Sequence, residues 1–355
     1  MIKFKILISI LFVFVLTTLV GCQAQSDHEE VMEEPVENVN IAENTEDDDV
    51  SFLSVDKMEQ YEGMEISDWL DENTVIVSKE NETLEKMKLE ELSDSYPISL
   101  YTYSLSTNEF RLLKEEENRF MGGATLSDDG SHLLYSGYTL GDPGYYVMNL
   151  DTLESFNIEG AYSAHWGDEG AVVGASYKGG AYSASTSGVI TPLGDLNQES
   201  LFIVRKSNHA VYYNTQSETA LMKLDLETNQ KTSLNIDDVV GLFPSSGGDH
   251  LLVLQSDGTT ERLILCDVQG ESIQIIVESK EIRGVAWSPD EKMIAYSRTD
   301  TVDWGIYGYD LIRNKEFNIV PGEESRGIHW SPSGRKLSFV HANTTDYNSS
   351  IVYFK

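Results

Sequence analysis

A repeat of roughly forty residues, running to the C-terminus, constrains this chain more than any other feature. Two copies align directly: Gly284-Val285-Ala286-Trp287-Ser288-Pro289-Asp290 and Gly327-Ile328-His329-Trp330-Ser331-Pro332-Ser333. Each runs on into a β-branched and aromatic stretch, Met293-Ile294-Ala295-Tyr296-Ser297 or Lys336-Leu337-Ser338-Phe339-Val340. Weaker copies stand at 66–77, 124–136 and 163–173. One copy reads as a hairpin. A short strand ends in a large apolar residue, a Ser-Pro-Asp or Ser-Pro-Ser turn reverses the chain, and a second strand returns. Two further short strands follow, as at 305–311 and 317–320.

The key apolar position falls at Trp69, Leu126, Trp166, Val204, Phe243, Trp287 and Trp330. That predicts seven four-stranded units, the pattern of propeller blades. In the units at Val204 and Phe243 the turns have lost the Pro-Asp signature. The first unit carries an insertion, Glu80–Ser99, whose Leu84, Met87 and Leu92 fall on one side of a short helix that caps a face or grips a partner, with a solvated loop as the equal alternative. The last unit supplies three strands, and Ser51–Val55 is expected to add the fourth and close the ring, removing its exposed edges. The fold class is therefore all-β, a propeller of seven blades, with six as the alternative.

Residues 1–21 read as an export signal. Lys3 and Lys5 precede an apolar run from Ile6 to Val20, and Gly21 precedes Cys22. Residues 22–50 follow as an acidic tether, in which 23–50 hold eleven acidic residues and no Lys or Arg. Such a segment buries too little apolar surface to order itself and is predicted to be an extended spacer, reaching about 90–100 Å. Residues 51–355 form the propeller domain.

The Leu19-Val20-Gly21-Cys22 ending resembles the lipobox of bacterial lipoproteins, which implies that Cys22 is acylated and anchors the chain in the lipid bilayer (palmitate among the acyl chains). The Trp-Ser-Pro-Asp/Ser pattern resembles the WD40-like repeat of TolB-type propellers. Lipobox, acidic spacer and propeller together resemble the YqgU-like propeller lipoproteins, described as six-bladed against seven by the repeat count. The resemblance implies an extracytoplasmic, lipid-anchored protein of the cell envelope and supplies no catalytic residues.

The net charge is -34 at pH 7, with 59 acidic against 25 basic residues, which argues against nucleic-acid binding. Beyond Cys22 the only cysteine is Cys266, in the apolar run Leu263-Ile264-Leu265-Cys266, expected to be a small buried hydrophobe. Seven histidines are scattered singly, with no metal-binding spacing. His165 and His329 each precede a repeat Trp and are placed on innermost strands, in a framework role. Gly174-Ala175-Ser176-Tyr177-Lys178-Gly179 fails as a nucleophile elbow because Lys178 occupies the second glycine position. No catalytic residue, metal or cofactor is predicted.

Aromatic residues recur in the loops between second and third strands. Tyr138, Tyr177, Trp304 and Tyr347, with Arg298 and Lys178, come from different units at equivalent places. Such loops share one face of a propeller, so the first four and Arg298 are the candidate ligand-binding residues at the channel mouth, with packing between blades as the alternative reading. The functional expectation is a non-enzymatic binding or scaffold module for a protein, peptide or envelope glycan. The alternative is an envelope enzyme, a glycan or lactone lyase or hydrolase, with its site at the channel mouth.

Overall fold

The computed structural model describes residues 53–88, 94–141, 143–196, 199–301, 303–342 and 347–355. The predicted signal peptide, Cys22 and the acidic tether lie outside the described residues. These residues form 28 strands and one short 3-10 turn, Asp168–Gly170.

Unit one consists of β2 (Glu65–Asp71), β3 (Thr74–Glu80), β4 (Ile98–Ser104) and β5 (Glu109–Lys114). Unit two has β6 (Phe120–Leu126), β7 (His132–Tyr138), β8 (Gly144–Asn149) and β9 (Ser155–Asn157). Unit three has β10 (His165–Trp166), β11 (Val172–Ala175), β12 (Ala181–Ala184) and β13 (Ile190–Pro192). Unit four has β14 (Leu201–Ser207), β15 (Ala210–Thr215), β16 (Met222–Asp225) and β17 (Lys231–Ser233). Unit five has β18 (Val239–Pro244), β19 (His250–Ser256), β20 (Glu261–Asp267) and β21 (Ser272–Ser279). Unit six has β22 (Glu281–Trp287), β23 (Met293–Thr299), β24 (Trp304–Asp310) and β25 (Lys315–Pro321). Unit seven has β26 (Ser325–Trp330), β27 (Lys336–His341), β28 (Ser349–Phe354) and, from the other end of the chain, β1 (Val55–Tyr61).

Each unit is an antiparallel meander, and units one and two are also joined by a single parallel bridge, Ile98 to Phe120. The pairing agrees with the seven-unit repeat count. In unit seven β1 pairs antiparallel with β28, from Val55 opposite Phe354 to Tyr61 opposite Ser349. The closing strand was expected at 51–55 and instead occupies 55–61. Phe52-Leu53 looks more strand-like than Asp56-Lys57-Met58-Glu59-Gln60, but an outermost strand has one face and one edge in water, so a polar sequence suits it.

The core is divided among the junctions between neighbouring sheets. Ile203, Tyr212 and Leu221 of unit four pack on Val239, Leu251 and Cys266 of unit five. Similar clusters join each successive pair of units, and Ile66, Trp69, Val75 and Val77 of unit one meet Ile351 of unit seven. Central strands are thus buried on both faces, which is why β19 reads as the unbroken apolar run Leu251-Leu252-Val253-Leu254. Cys266 is fully buried in this packing, and burial pushes its thiol up to about 11, as expected of a structural cysteine.

The turn chemistry follows from the repeat motif. Ser288 Oγ donates to Asp290 Oδ1 at 2.8 Å and accepts from the Met293 N–H at 2.9 Å, while the Lys292 N–H donates to Asp290. Ser127, Asp129 and His132 repeat the arrangement in unit two. Pairing to the first residues of each second strand also fixes the repeat position. Trp69 lies opposite Val75, Leu126 opposite Leu133, Trp166 opposite Val172, Trp287 opposite Ile294 and Trp330 opposite Leu337. In units four and five the equivalent residues are Lys206, opposite Val211, and Pro244, opposite Leu251. The predicted Val204 and Phe243 are therefore two residues and one residue out of register. Lys206 replaces the tryptophan with an ion pair to Asp168 of the preceding unit, which an apolar pattern does not reveal.

In the insertion, the described residues 81–88 and 94–97 contain turns and no helix. Met87 is buried all the same, and Asn81 ties the segment to Ser99 and Glu115. Leu92 lies outside the described residues.

Candidate functional site

The loops between second and third strands, and those linking one unit to the next, emerge on the same face. Where units seven, one and two meet on that face lies a pocket of about 250 Å³, lined by Glu65, Ser78, Phe120, Gly122, Gly123, Tyr138, Arg326 and Tyr347 among others. Glu65 and Arg326 each stand near the start of an innermost strand, β2 and β26. Ring closure brings them together from opposite ends of the domain.

The walls are aromatic. Tyr138 ends β7 and is 42% exposed, its ring edge-to-face with Phe120 at 5.5 Å between centroids. Tyr347 sits just before β28. Burial raises its hydroxyl pKa, and the neighbouring Tyr138, Glu65 and Glu80 push the same way against Arg326. The floor is the bulge of β6 between Gly122 and Thr125, where Gly123 takes a φ of 59°, a conformation glycine adopts without strain.

Two polar features stand out. Burial raises the Glu65 carboxyl above the usual carboxylate range, and the Arg326 guanidinium opposes that shift. Ser78 is 2% exposed, and its hydroxyl has no hydrogen-bond partner among the described residues. A buried hydroxyl left unpaired costs about 1–3 kcal/mol, which marks Ser78 as the one unsatisfied buried polar side chain in the pocket's wall. The pocket thus offers a carboxyl, a guanidinium and two tyrosine rings to one small polar ligand.

The five predicted ligand residues divide accordingly. Tyr138 and Tyr347 line this pocket together. Tyr177 is half exposed in the β11–β12 turn, edge-to-face with Tyr162 at 5.3 Å. Trp304, 39% exposed, starts β24 in unit six. Arg298 is engaged within unit six, donating to Asp303 at 2.8 Å, 3.3 Å from Glu316, with its guanidinium 4.2 Å from the Tyr307 ring centre. These three do not join the pocket. Glu65, Ser78 and Arg326 were missed, since nothing local to each marks it. Glu65 and Ser78 face each other in the β2–β3 hairpin, and Arg326 joins them only through the ring closure.

A larger hollow of about 510 Å³ lies on unit four, where Lys231 and Glu199 pair with each other. It is open to solvent, and no lining side chain is a buried polar group without a partner. Its size alone gives it less claim as a binding site.

A second set of residues, five of them polar or charged, lies on the innermost strands. The residues immediately before the repeat position are Asp68, Thr125, His165, Arg205, Phe243, Ala286 and His329, one from each innermost strand and all half-buried. Asp68 accepts from the Trp69 N–H at 2.8 Å and the Leu126 N–H at 2.7 Å. Burial pushes its carboxyl up, and the facing His329 opposes this. His329 and His165 are both held below the usual histidine range by burial. Among the described residues no group of three His, Cys, Asp or Glu is arranged to hold a metal ion.

No family model matches this chain, and no curated protein matches it either. Solved structures do. The β-propeller domain of Cps50 (Swd1) from Myceliophteria thermophila superposes with a TM-score of 0.60 at 13% identity, over 85% of this chain and 100% of that one. An oligogalacturonate lyase in complex with manganese gives 0.62 at 10% identity, over 84% and 91%. TolB from Acinetobacter baumannii gives 0.49 at 11%, over 64% and 61%. At these identities the first two likenesses are of fold alone. The class they and the sheet topology define is the β-propeller.

Proposed function

We propose that this protein is a binding module of the cell envelope, tethered to the membrane by acylated Cys22 and the acidic segment behind it. Its propeller holds a small polar unit, one sugar of an envelope glycan or one side chain of a peptide, in the pocket between units seven, one and two. The observation that carries this reading is that Glu65, Arg326, Tyr138 and Tyr347, from three units, line one pocket whose wall also holds the unpaired Ser78 hydroxyl. Tyrosine faces and paired polar ends suit a ligand with one flat apolar side and several hydroxyls or amides. The test is titration of envelope saccharides and short peptides against the wild type and Tyr138→Ala/Arg326→Met. Binding that survives the double substitution unchanged refutes this site.

One observation supports a catalytic reading as well. A carboxyl raised by burial beside a pocket is suited to general acid–base work, and Glu65 is such a group. That reading requires turnover of a bound glycan or lactone that Glu65→Gln abolishes while binding persists.

A further inference from the structure

Arginine is scarce in this acidic protein, and its neighbours show what each guanidinium does. Arg119, Arg262, Arg283, Arg298 and Arg313 are all paired with carboxylates. Arg111, Arg326 and Arg335 are exposed. Arg205 is different. It lies on innermost strand β14 at the axial level of the ring, and its one hydrogen bond runs from Nη1 to the Val204 carbonyl beside it, at 2.9 Å. Among the described residues no Asp or Glu pairs with it. The remaining donors of its fork have no acceptor there, while Asp68 of the same ring is satisfied by two backbone N–H groups and faces His329.

A half-buried cation with no counter-ion, none of whose unpaired donors is sealed from solvent, is a ready seat for an arriving anion. The charge is felt locally. Burial lowers the Arg205 pKa to about 10, and Arg205 in turn adds to the depression of His165 in the adjacent unit. His165 therefore stands neutral beside it, with one ring N–H free to donate. The guanidinium fork matches the paired oxygens of a carboxylate or phosphate.

We propose that the innermost strands bind the oxyanion group of a small ligand, a carboxylate or a phosphate, in the fork of Arg205 with His165 as its neighbour. This site is independent of the pocket between units seven, one and two.

The experiment is thermal unfolding of the full chain at constant ionic strength in chloride, inorganic phosphate or succinate, repeated for Arg205→Met and Arg205→Lys. The wild type is expected to gain roughly 2–4 °C in phosphate or succinate over chloride once the anion exceeds its Kd several-fold. The larger gain tells whether phosphate or carboxylate is preferred. Arg205→Met should lose the response while melting no lower than the wild type in chloride, because it removes an unpaired charge. Arg205→Lys should need about tenfold more anion, lacking the fork. Equal melting of the wild type in all three salts, an adventitious ion only, overturns the proposal. So does a response that persists in Arg205→Met. If Arg205→Met does not fold, the wild-type response and its weakening in Arg205→Lys decide, and an undiminished response in Arg205→Lys counts against the proposal.

Discussion

The indole N–H of Trp69, in the first sheet, reaches Ser338 Oγ of the last sheet at 3.0 Å and the His329 carbonyl at 3.1 Å. The same contact recurs around the ring. Trp166 donates to the Thr125 carbonyl at 2.9 Å and Trp287 to the Phe243 carbonyl at 3.0 Å, each across to the preceding unit. The conspicuous tryptophans of the repeat are thus bolts between neighbouring sheets, and Trp69 joins the two ends of the domain. Trp330 lacks the contact: its buried indole N–H has no partner among the described residues.

That difference predicts unequal costs. Trp69→Phe should destabilise by about 2–3 kcal/mol in urea unfolding, combining lost volume with orphaned acceptors. Trp330→Phe should cost about 1 kcal/mol less, since it removes a donor that is already unsatisfied. Equal losses would mean that the inter-sheet hydrogen bond contributes nothing.

Removing residues 53–61 strips β1 from β28 and leaves the last unit with three strands. Backbone pairing is lost together with the packing of Leu53, Val55 and Tyr61, and the seventh sheet then presents an open edge. The expected result is a broad melting transition in place of a single cooperative one, read by circular dichroism, and gain of self-association.

Stability should fall on the acid side of neutrality through the axial histidines. Burial, with the charge of Arg205, holds His165 well below 6.5, whereas the unfolded chain takes up its proton near that value. The unfolded state then binds more protons, so this contribution is complete above about pH 6.5 and is lost as pH falls from there toward the folded value. His329 behaves in the same direction. His165→Asn should flatten the decline between pH 7 and 5 by up to about 1.4 kcal/mol per pH unit, measured by urea titration. An unaltered slope would contradict the assignment.

The tether is tested by Cys22→Ser. Two or three acyl chains give stable anchoring where one does not, so the variant should move from the membrane to the soluble fraction. Continued membrane association would refute the anchor.

The sequence declared the architecture most clearly where Trp, Ser and Pro coincide, at 287–289 and 330–332, because turn chemistry and apolar pattern agree there. It was least legible at Lys206, where an ion pair does the work of an indole, and at β1, where an outermost strand needs few apolar residues. In the insertion the loop reading holds over the helix, since Met87 is buried from an irregular segment and its N–H donates to the Ser95 carbonyl. Of the candidate site, Tyr138 and Tyr347 were legible from equivalent loop positions. Glu65 and Ser78, partners in the β2–β3 hairpin, were not, since only ring closure brings Arg326 to them, and the pairing that occupies Arg298 is a matter of side-chain geometry.

The most direct test of the central claim places a photo-crosslinking amino acid at Tyr138, beside the pocket, or at Ile312, exposed in the β24–β25 turn on the opposite face. The account predicts a ligand or partner adduct in cells from position 138 that disappears when Arg326→Met is added, and none from position 312. Adducts from 312 alone, or from 138 regardless of Arg326, would contradict it.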